Sequence, residues 1–301
     1  MIQFPEIKSR IQYITKIKHI ELHILREDET HPTISGNKFR KLKYNLELFS
    51  NGNYKSLLTF GGAYSNHISA VAAAGKEFGF KTIGIIRGEE LIHKIDQNPT
   101  LTFARNCGMK LHFISRENYR KKNENEFIQN LKNQFENVYI LPEGGTNELA
   151  VKGCEEILNQ ETSKFDFICC AIGTGGTISG IINSAKENQK ILGFPALKDS
   201  GFLVDEINKF TSRSNWELVQ EFHFGGYAKV NSELLDFLNV FKTDFNVTLE
   251  PVYTGKMVFG ILELMKNNYF PRGSKILAVH TGGLQGIEGM NQKLNQKTIR
   301  E

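Results

Sequence analysis

The sequence predicts an α/β protein built on mostly parallel sheet with helices on both faces. Three observations predict it. Short apolar runs alternate with segments of helical periodicity, the pattern of repeated βα units. Several of those runs lead straight into glycine-rich turns that open the next helix, and in open α/β sheets ligands gather outside such turns. No low-complexity linker and no internal repeat beyond the βα alternation interrupts the 301 residues. A chain of that length with 40% hydrophobic residues buries a full core and favours two lobes over one.

Ile20, Leu22 and Ile24 alternate with polar residues as in a half-buried strand, and a polar turn runs from Asp28 to Pro32. Phe39, Leu42, Leu46 and Phe49 recur at helical spacing, so a helix starts near Asn37 or Lys38. Ser35 or Asn37 can cap it, and Gly36 admits a tight entry. Ser56 to Phe60 is an apolar strand running into Gly61-Gly62-Ala63-Tyr64-Ser65-Asn66-His67 and an alanine-rich helix ended by Gly79. Thr82 to Ile86 is a strand, Pro99 opens a helix that Gly108 closes, and Leu111 to Ile114 is a strand again. The charged run Arg116 to Glu126 is a solvated loop or helix start. Val138 to Leu141 leads through Pro142 to Asn147 into a helix from about Glu148. Phe167 to Ile172 leads to Gly173-Thr174-Gly175-Gly176-Thr177 and an isoleucine-rich helix. Leu218 to Phe224 leads to Gly225-Gly226-Tyr227 and a helix containing Leu234, Leu235 and Leu238. Pro251 to Lys256 opens another helix, and Ile276 to Val279 leads to His280-Thr281-Gly282-Gly283.

Composition removes several function classes. Lys and Arg number 37 against 33 Asp and Glu, a formal +4 that is too small for a nucleic-acid protein and suits anionic small ligands. The longest apolar runs fall far short of the ~20 residues that cross a bilayer, so no membrane role is expected. The start, Met1 to Glu6, lacks the basic and apolar regions of a signal peptide. Cys107, Cys154, Cys169 and Cys170 form no C-x-x-C pair, as expected of buried reduced thiols in a cytoplasmic protein. No H-E-x-x-H, G-x-S-x-G or paired-carboxylate motif occurs, so zinc proteolysis, serine esterase and glycosidase chemistry lack support, and no metal is expected.

The chemistry concentrates in the turns. Lys38, Arg40, Lys41 and Lys43 crowd the first turn of a helix, where the dipole already disfavours cations. Clustered positive charge lowers an amine's pKa, and a lysine so lowered is a nucleophile; a solvated basic helix end is the plainer alternative. Gly173 to Thr177 is a phosphate-cradle candidate, because its glycines let backbone N–H groups converge at a helix N-terminus. It has neither the Walker lysine nor G-x-G-x-x-G spacing, and a tight βα turn would need the same glycines. Ser65 is either an N-cap or a hydroxyl held for proton transfer, with Asn66 donating to an oxygen. His67 has no partner visible in sequence and reads as structural. Tyr227 and Tyr253 flank glycine-containing loops, where a tyrosine packs, stacks on a planar ligand or donates a proton. Thr254 and Thr281 are hydroxyls on similar loops. A nucleophilic lysine, an anion cradle and aromatic and hydroxyl groups at strand ends together suit one cofactor, pyridoxal phosphate.

The motifs Ser35-Gly36-Asn37-Lys38-x-Arg40-Lys41-Leu42, Ser65-Asn66-His67, Gly173-Thr174-Gly175-Gly176-Thr177, Pro251-Val252-Tyr253-x-Gly255-Lys256 and His280-Thr281-Gly282-Gly283 stand in this order across nearly the whole chain. Together they resemble the 1-aminocyclopropane-1-carboxylate deaminase/D-cysteine desulfhydrase family of fold-type-II pyridoxal phosphate enzymes, related to the tryptophan synthase β chain. The resemblance implies a larger cofactor-binding lobe from residues 1–42 and 145–301, and a smaller inserted lobe, 43–144, carrying the Ser65-Asn66-His67 loop. It implies a homodimer acting on a small amino acid. Lys38 would form the Schiff base, Ser65 would lie near the substrate's α-carbon and carboxylate, and Asn66 beside the ring hydroxyl. Lys41 and the 173–177 loop would hold the phosphate, and Tyr227 and Tyr253 would border the substrate.

Ring-opening members resemble one another in having Glu after the Pro-Val-Tyr tyrosine and Leu after the His of His-x-Gly-Gly. This chain has Thr254 and Thr281 there. A carboxylate at the pyridine nitrogen makes a strong electron sink, and a neutral hydroxyl a weaker one that suffices when a thiolate leaves from Cβ. The expectation is therefore D-cysteine desulfhydrase-like α,β-elimination giving pyruvate, ammonia and sulfide or a thiol. Ring opening of 1-aminocyclopropane-1-carboxylate to α-ketobutyrate is the alternative, and a non-catalytic nucleotide- or cofactor-binding module is the alternative from another class. Tyr64, Phe39 and Ser69 depart from the family pattern and make the pocket wall differ.

Overall fold

The computed structural model describes residues 2, 4–5, 7–34, 36–294 and 299; the capping expected of Ser35 lies outside them. In chain order the elements are β1 Ile11–Ile17, β2 Ile20–Leu25, α1 Asn37–Asn51, β3 Ser56–Gly61, α2 Asn66–Phe78 and β4 Lys81–Arg87. Next come α3 Pro99–Asn106, β5 Lys110–Ile114, α4 Arg116–Arg120, α5 Asn125–Gln134, β6 Val138–Leu141 and α6 Glu148–Glu155. Then follow β7 Phe167–Ile172, α7 Gly176–Ser184, β8 Lys190–Pro195, α8 Leu203–Asn208 and β9 Trp216–Leu218. The last are α9 Ser232–Phe245, α10 Thr254–Lys266, β10 Lys275–Val279 and α11 Gly286–Lys293.

Two sheets result. One has six strands in the order β1-β2-β10-β7-β8-β9, parallel except for the β1–β2 pair, and the other has four in the order β5-β4-β3-β6, all parallel. Each is covered on both faces, so its strands alternate between two apolar layers rather than between core and water. In the larger sheet Cys169, Leu192, Ile276 and Ala278 face the layer of α9, α10 and α11, while Ile168, Cys170, Ile191, Leu277 and Val279 face α7 and α8. In the smaller sheet Leu57, Ile86 and Tyr139 face α1, α2 and α3, while Leu58, Phe60, Ile85 and Val138 face Tyr119 and Leu131. The architecture is the two-lobe, fold-type-II α/β arrangement expected.

Two expectations change in detail. Leu218 to Phe224 is not a strand: β9 ends at Leu218, and the chain turns through Glu221 to Ala228. Its partner β8 ends in Pro195, which has no N–H to continue the ladder beyond the bond from Val219 to the Gly193 carbonyl. Asn37 does not cap α1. The N-cap is Gly36, at φ +69°, with no side-chain cap; Asn37 is the first helical residue and its N–H donates to the Thr281 carbonyl at 3.2 Å. Cys154, Cys169 and Cys170 are buried free thiols, whereas Cys107 is only half-buried.

α1 ties the two layers together. A Cβ added to Gly153 of α6 would lie 2.0 Å from the Arg40 carbonyl oxygen, so these helices cross with their backbones in contact. Beside that crossing Arg40 donates to both oxygens of Glu27 at 2.9 Å, an ion pair almost wholly out of water.

Candidate active site

The C-terminal ends of β3, β4 and β6 in one sheet and of β7 and β10 in the other open onto a single cavity of about 880 Å³. Lys38, Lys41, Ser65, Asn66, Gly173, Thr174, Gly175, Thr177, Tyr227, Tyr253 and Thr281 line it. Six segments far apart in sequence thus meet, those after β3, β7 and β10 because parallel strands deliver their C-terminal turns to one edge.

Lys38 lies in the first turn of α1, and its Nζ donates to Asn37 Oδ1 at 3.0 Å. Its pKa falls from 10.5 to about 7, chiefly through burial, with repulsion from Lys41 second. The sequence argument put charge clustering first; the structure ranks loss of solvation above it.

Facing Lys38, the loop after β7 enters α7 through Gly175 at φ +84°. A Cβ at Gly176 would sit 2.8 Å from Thr146 Cγ2 and 3.3 Å from Lys41 Nζ, so the backbone lies directly against the lysine. Gly176 forms the back of the loop and does not line the cavity. Lys41 is 2% exposed, and its Nζ donates to the Gly144 carbonyl and to Thr146 Oγ1, each at 2.9 Å. An ammonium has three donors, so one N–H remains for an anion. Asn37 Nδ2 donates to Thr177 Oγ1 at 2.7 Å and locks the loop to α1. A cation behind glycine N–H groups at a helix N-terminus fits a phosphate.

Ser65 caps α2, accepting from the Ile68 amide at 3.3 Å, and it also lines the cavity. Asn66 packs against Gly283, where an added Cβ would fall 2.7 Å from Asn66 Nδ2. His67 belongs to the cavity wall as well as the core. Thr59 Oγ1 lies 2.9 Å from the Leu141 carbonyl and 2.8 Å from His67 Nε2. One hydroxyl proton serves the carbonyl, so Nε2 carries the imidazole proton and Nδ1, with no partner among the described residues, is a bare acceptor. Burial, then Lys38 and Lys41, hold this ring neutral.

Tyr227 and Tyr253 meet edge to face at 6.1 Å. Loss of solvation raises both phenol pKa values, although Tyr227 is 49% exposed, so each is protonated at neutral pH. Thr281 lines the cavity, but Thr254 does not: it is fully buried, and its Oγ1 accepts from the Glu250 amide at 3.2 Å. Glu250 stands at the wall instead. Its carboxylate accepts from the amides of Val252 at 2.8 Å and Thr254 at 2.6 Å, and burial still pushes its pKa up to about 7. Sequence reasoning missed it; a carboxylate just before the turn that opens α10 was the available signal. Arg87 and Glu143, at the ends of β4 and β6, were missed too, since an isolated charge after a strand resembles any surface residue.

A low-pKa lysine facing a glycine cradle at the ends of parallel strands is the equipment of a pyridoxal phosphate enzyme. Residues 8–282 match the family model described as pyridoxal-phosphate dependent enzyme. The chain is 32% identical over 297 residues to a bifunctional D-cysteine desulfhydrase/1-aminocyclopropane-1-carboxylate deaminase, mitochondrial, of Arabidopsis thaliana, covering 89% of this chain and 73% of that protein. It is 29% identical over 311 residues to a putative 1-aminocyclopropane-1-carboxylate deaminase of Thermotoga maritima, covering 94% and 96%. A solved ACC deaminase homologue superimposes with a TM-score of 0.80 at 26% identity, covering 97% of this chain and 96% of its own. An O-acetylserine dependent cystathionine beta-synthase from Helicobacter pylori, at 14% identity and a TM-score of 0.65 over 93% and 94%, shares the fold alone. The chain belongs to the 1-aminocyclopropane-1-carboxylate deaminase/D-cysteine desulfhydrase family of pyridoxal-phosphate dependent enzymes.

Proposed function

We propose that the protein catalyses α,β-elimination on D-cysteine or a related β-substituted amino acid, giving pyruvate, ammonia and sulfide or a thiol. Bound pyridoxal phosphate supplies an aldehyde for a lysine amine and a ring that accepts the electron pair left when a bond to the substrate's α-carbon breaks. The observation that carries the reading is Lys38, with a pKa of about 7 at the wall of the one cavity shared by the glycine cradle and the Ser65 turn. Lys41 and the N–H groups of 173–177 would hold the phosphate, and Asn66 would interact with the ring hydroxyl. Lys38 Nζ, free of its proton near neutral pH, takes the proton from the α-carbon. Ser65 positions the substrate carboxylate, and Tyr227 and Tyr253, both protonated, donate near the departing group. Thr281 supports elimination over ring opening because it gives the cavity wall a neutral hydroxyl. We propose also that residues 1–42 with 145–301, and 43–144, are the two lobes, and that the protein works as a cytoplasmic homodimer.

One observation favours the second reading, ring opening of 1-aminocyclopropane-1-carboxylate. Glu250 brings a carboxylate to the same wall, and a carboxylate at the ring nitrogen strengthens the electron sink. A panel of D- and L-amino acids and 1-aminocyclopropane-1-carboxylate, scored for keto acid and sulfide, separates the two. Faster α-ketobutyrate release than sulfide release would overturn the desulfhydrase reading.

A further inference from the structure

The motif Pro251 to Lys256 ends in a residue that the reaction above leaves unused. Lys256 sits in the first turn of α10, buried, and does not line the cavity. Its Nζ donates to the carbonyls of His223 and Gly226, each at 2.8 Å. Burial lowers its pKa to about 8 while Glu250 holds it up, so it keeps its proton near neutral pH. A buried cation at a helix N-terminus opposes the helix dipole, and the two carbonyls with the Glu250 charge offset that cost.

Those carbonyls belong to the turn that carries Tyr227. Phe224, Gly225, Gly226 and Ala228 have φ of +52°, +87°, +112° and +53°, and for Phe224 and Ala228 this left-handed backbone is strained. Such a turn keeps its shape only where its surroundings over-determine it. One face of α10 does so. Phe222 packs on Gly260, where an added Cβ would lie 2.7 Å from Cδ2, and Phe224 meets Phe259 edge to face at 5.0 Å. Lys256, Phe259 and Gly260 follow one another at the i, i+3, i+4 spacing of that face. The two rings anchor the entry to the turn, and Lys256 reaches the backbone next to Tyr227 itself. From α11, Lys293 donates to the Ala228 carbonyl at 3.1 Å. Tyr253 stands at the start of α10, and its hydroxyl is hydrogen-bonded to that of Tyr227. The first turn of α10 thus holds one tyrosine directly and the other through Lys256.

Resting on the elimination reading above, we propose that Lys256 is a positioning residue: by binding the His223 and Gly226 carbonyls it holds the Tyr227 hydroxyl beside Tyr253, where it protonates a departing thiolate. In that step the Cβ–S bond breaks with both electrons on sulfur, and the Tyr227 proton goes to that sulfur. The phenolate is reprotonated from solvent, to which Lys38 returns the proton it took from the α-carbon. Lys256 touches neither substrate nor cofactor. It acts through Tyr227, so it matters for leaving groups that need a proton and little for those that leave as stable anions.

The test uses the holoenzyme, Lys256→Met, which keeps the stem and removes the ammonium, and Lys256→Gln, which keeps two N–H donors without the charge. Amide hydrogen exchange, followed by mass spectrometry, should be at least about tenfold faster at 223–229 in Lys256→Met, intermediate in Lys256→Gln and unchanged at 190–195. Both enantiomers of S-methylcysteine, whose thiolate needs a proton, and of β-chloroalanine, whose chloride does not, are assayed for pyruvate. The ratio of kcat for S-methylcysteine to kcat for β-chloroalanine should fall at least about tenfold in Tyr227→Phe and in Lys256→Met. It should fall no further in Lys256→Met/Tyr227→Phe than in Tyr227→Phe alone. Where Lys256→Met does not fold, Lys256→Gln carries the same comparisons. Native-like exchange at 223–229, an unchanged ratio in either single variant, or a second fall of equal size in the double variant overturns the role of Lys256. No pyruvate from any β-substituted amino acid with the native enzyme overturns the elimination reading instead, and exchange at 223–229 then decides by itself whether Lys256 holds the turn.

Discussion

If burial rather than the cofactor makes Lys38 reactive, the amine should be nucleophilic in the apoprotein. The perturbation is pH, applied during reductive methylation with formaldehyde and cyanoborohydride. With a pKa of about 7, Lys38 is about half deprotonated at neutral pH, whereas at the ordinary 10.5 only roughly one amine in three thousand would be free. Peptide mass spectrometry would follow labelling at residue 38, with exposed Lys132 as an internal reference. Labelling should rise with a midpoint near 7. In Lys41→Met the midpoint should move up, because the second cause of the shift is gone, yet stay well below 10.5, because burial remains. A midpoint near 10 in the native chain would refute the reasoning. Stability carries the same signature. Because the folded pKa is lowered, the unfolded chain binds more protons between pH 7 and 10.5, so this amine's contribution to stability improves as pH rises through that window. Lys38→Met should flatten that part of the pH–stability curve.

Removing Lys41's charge with Lys41→Gln should weaken retention of pyridoxal phosphate about tenfold to a hundredfold, the range of one or two charge-assisted hydrogen bonds, as read by absorbance titration. Arg40→Met leaves Glu27 buried without its partner and should cost about 3–5 kcal/mol in urea unfolding, and Arg40→Met/Glu27→Leu should recover much of that. A cost below ~1 kcal/mol for the single variant would contradict the burial of the pair. Gly153→Ala drives a methyl into the Arg40 carbonyl and should destabilise by more than the about 1–3 kcal/mol of ordinary overpacking, because backbone has to move. Thr254→Ala should leave the ratio of sulfide to α-ketobutyrate release unchanged, since that hydroxyl lies behind the wall, and lower stability by about 1–3 kcal/mol by orphaning the Glu250 amide.

Much of the framework was legible because it rests on local rules. Short apolar runs marked β3, β4, β5, β6, β7 and β10, period-two alternation marked β2, and glycine after a strand marked the turns that reach the cavity. β1, β8, α8 and α11 escaped notice. β8 carries Gly193 and ends in Pro195, and β1 mixes lysine and glutamine into its alternation. The 218–224 stretch has strand composition, but no partner ladder continues beside it. Among site residues, most of those on glycine turns were found, whereas Arg87, which ends β4, Glu143, which precedes Gly144-Gly145, and Glu250 were not.

Sequence alone determined the class of fold and singled out Lys38 and the 173–177 turn as candidates, since each follows from spacing and backbone chemistry within a few residues. It could not rank the causes of a pKa, because solvation depends on what the rest of the chain packs around an amine. Nor could it say that Thr254 lies behind the cavity wall while Glu250 stands on it. Those are properties of how the whole chain packs around each group, and only the folded chain assigns them.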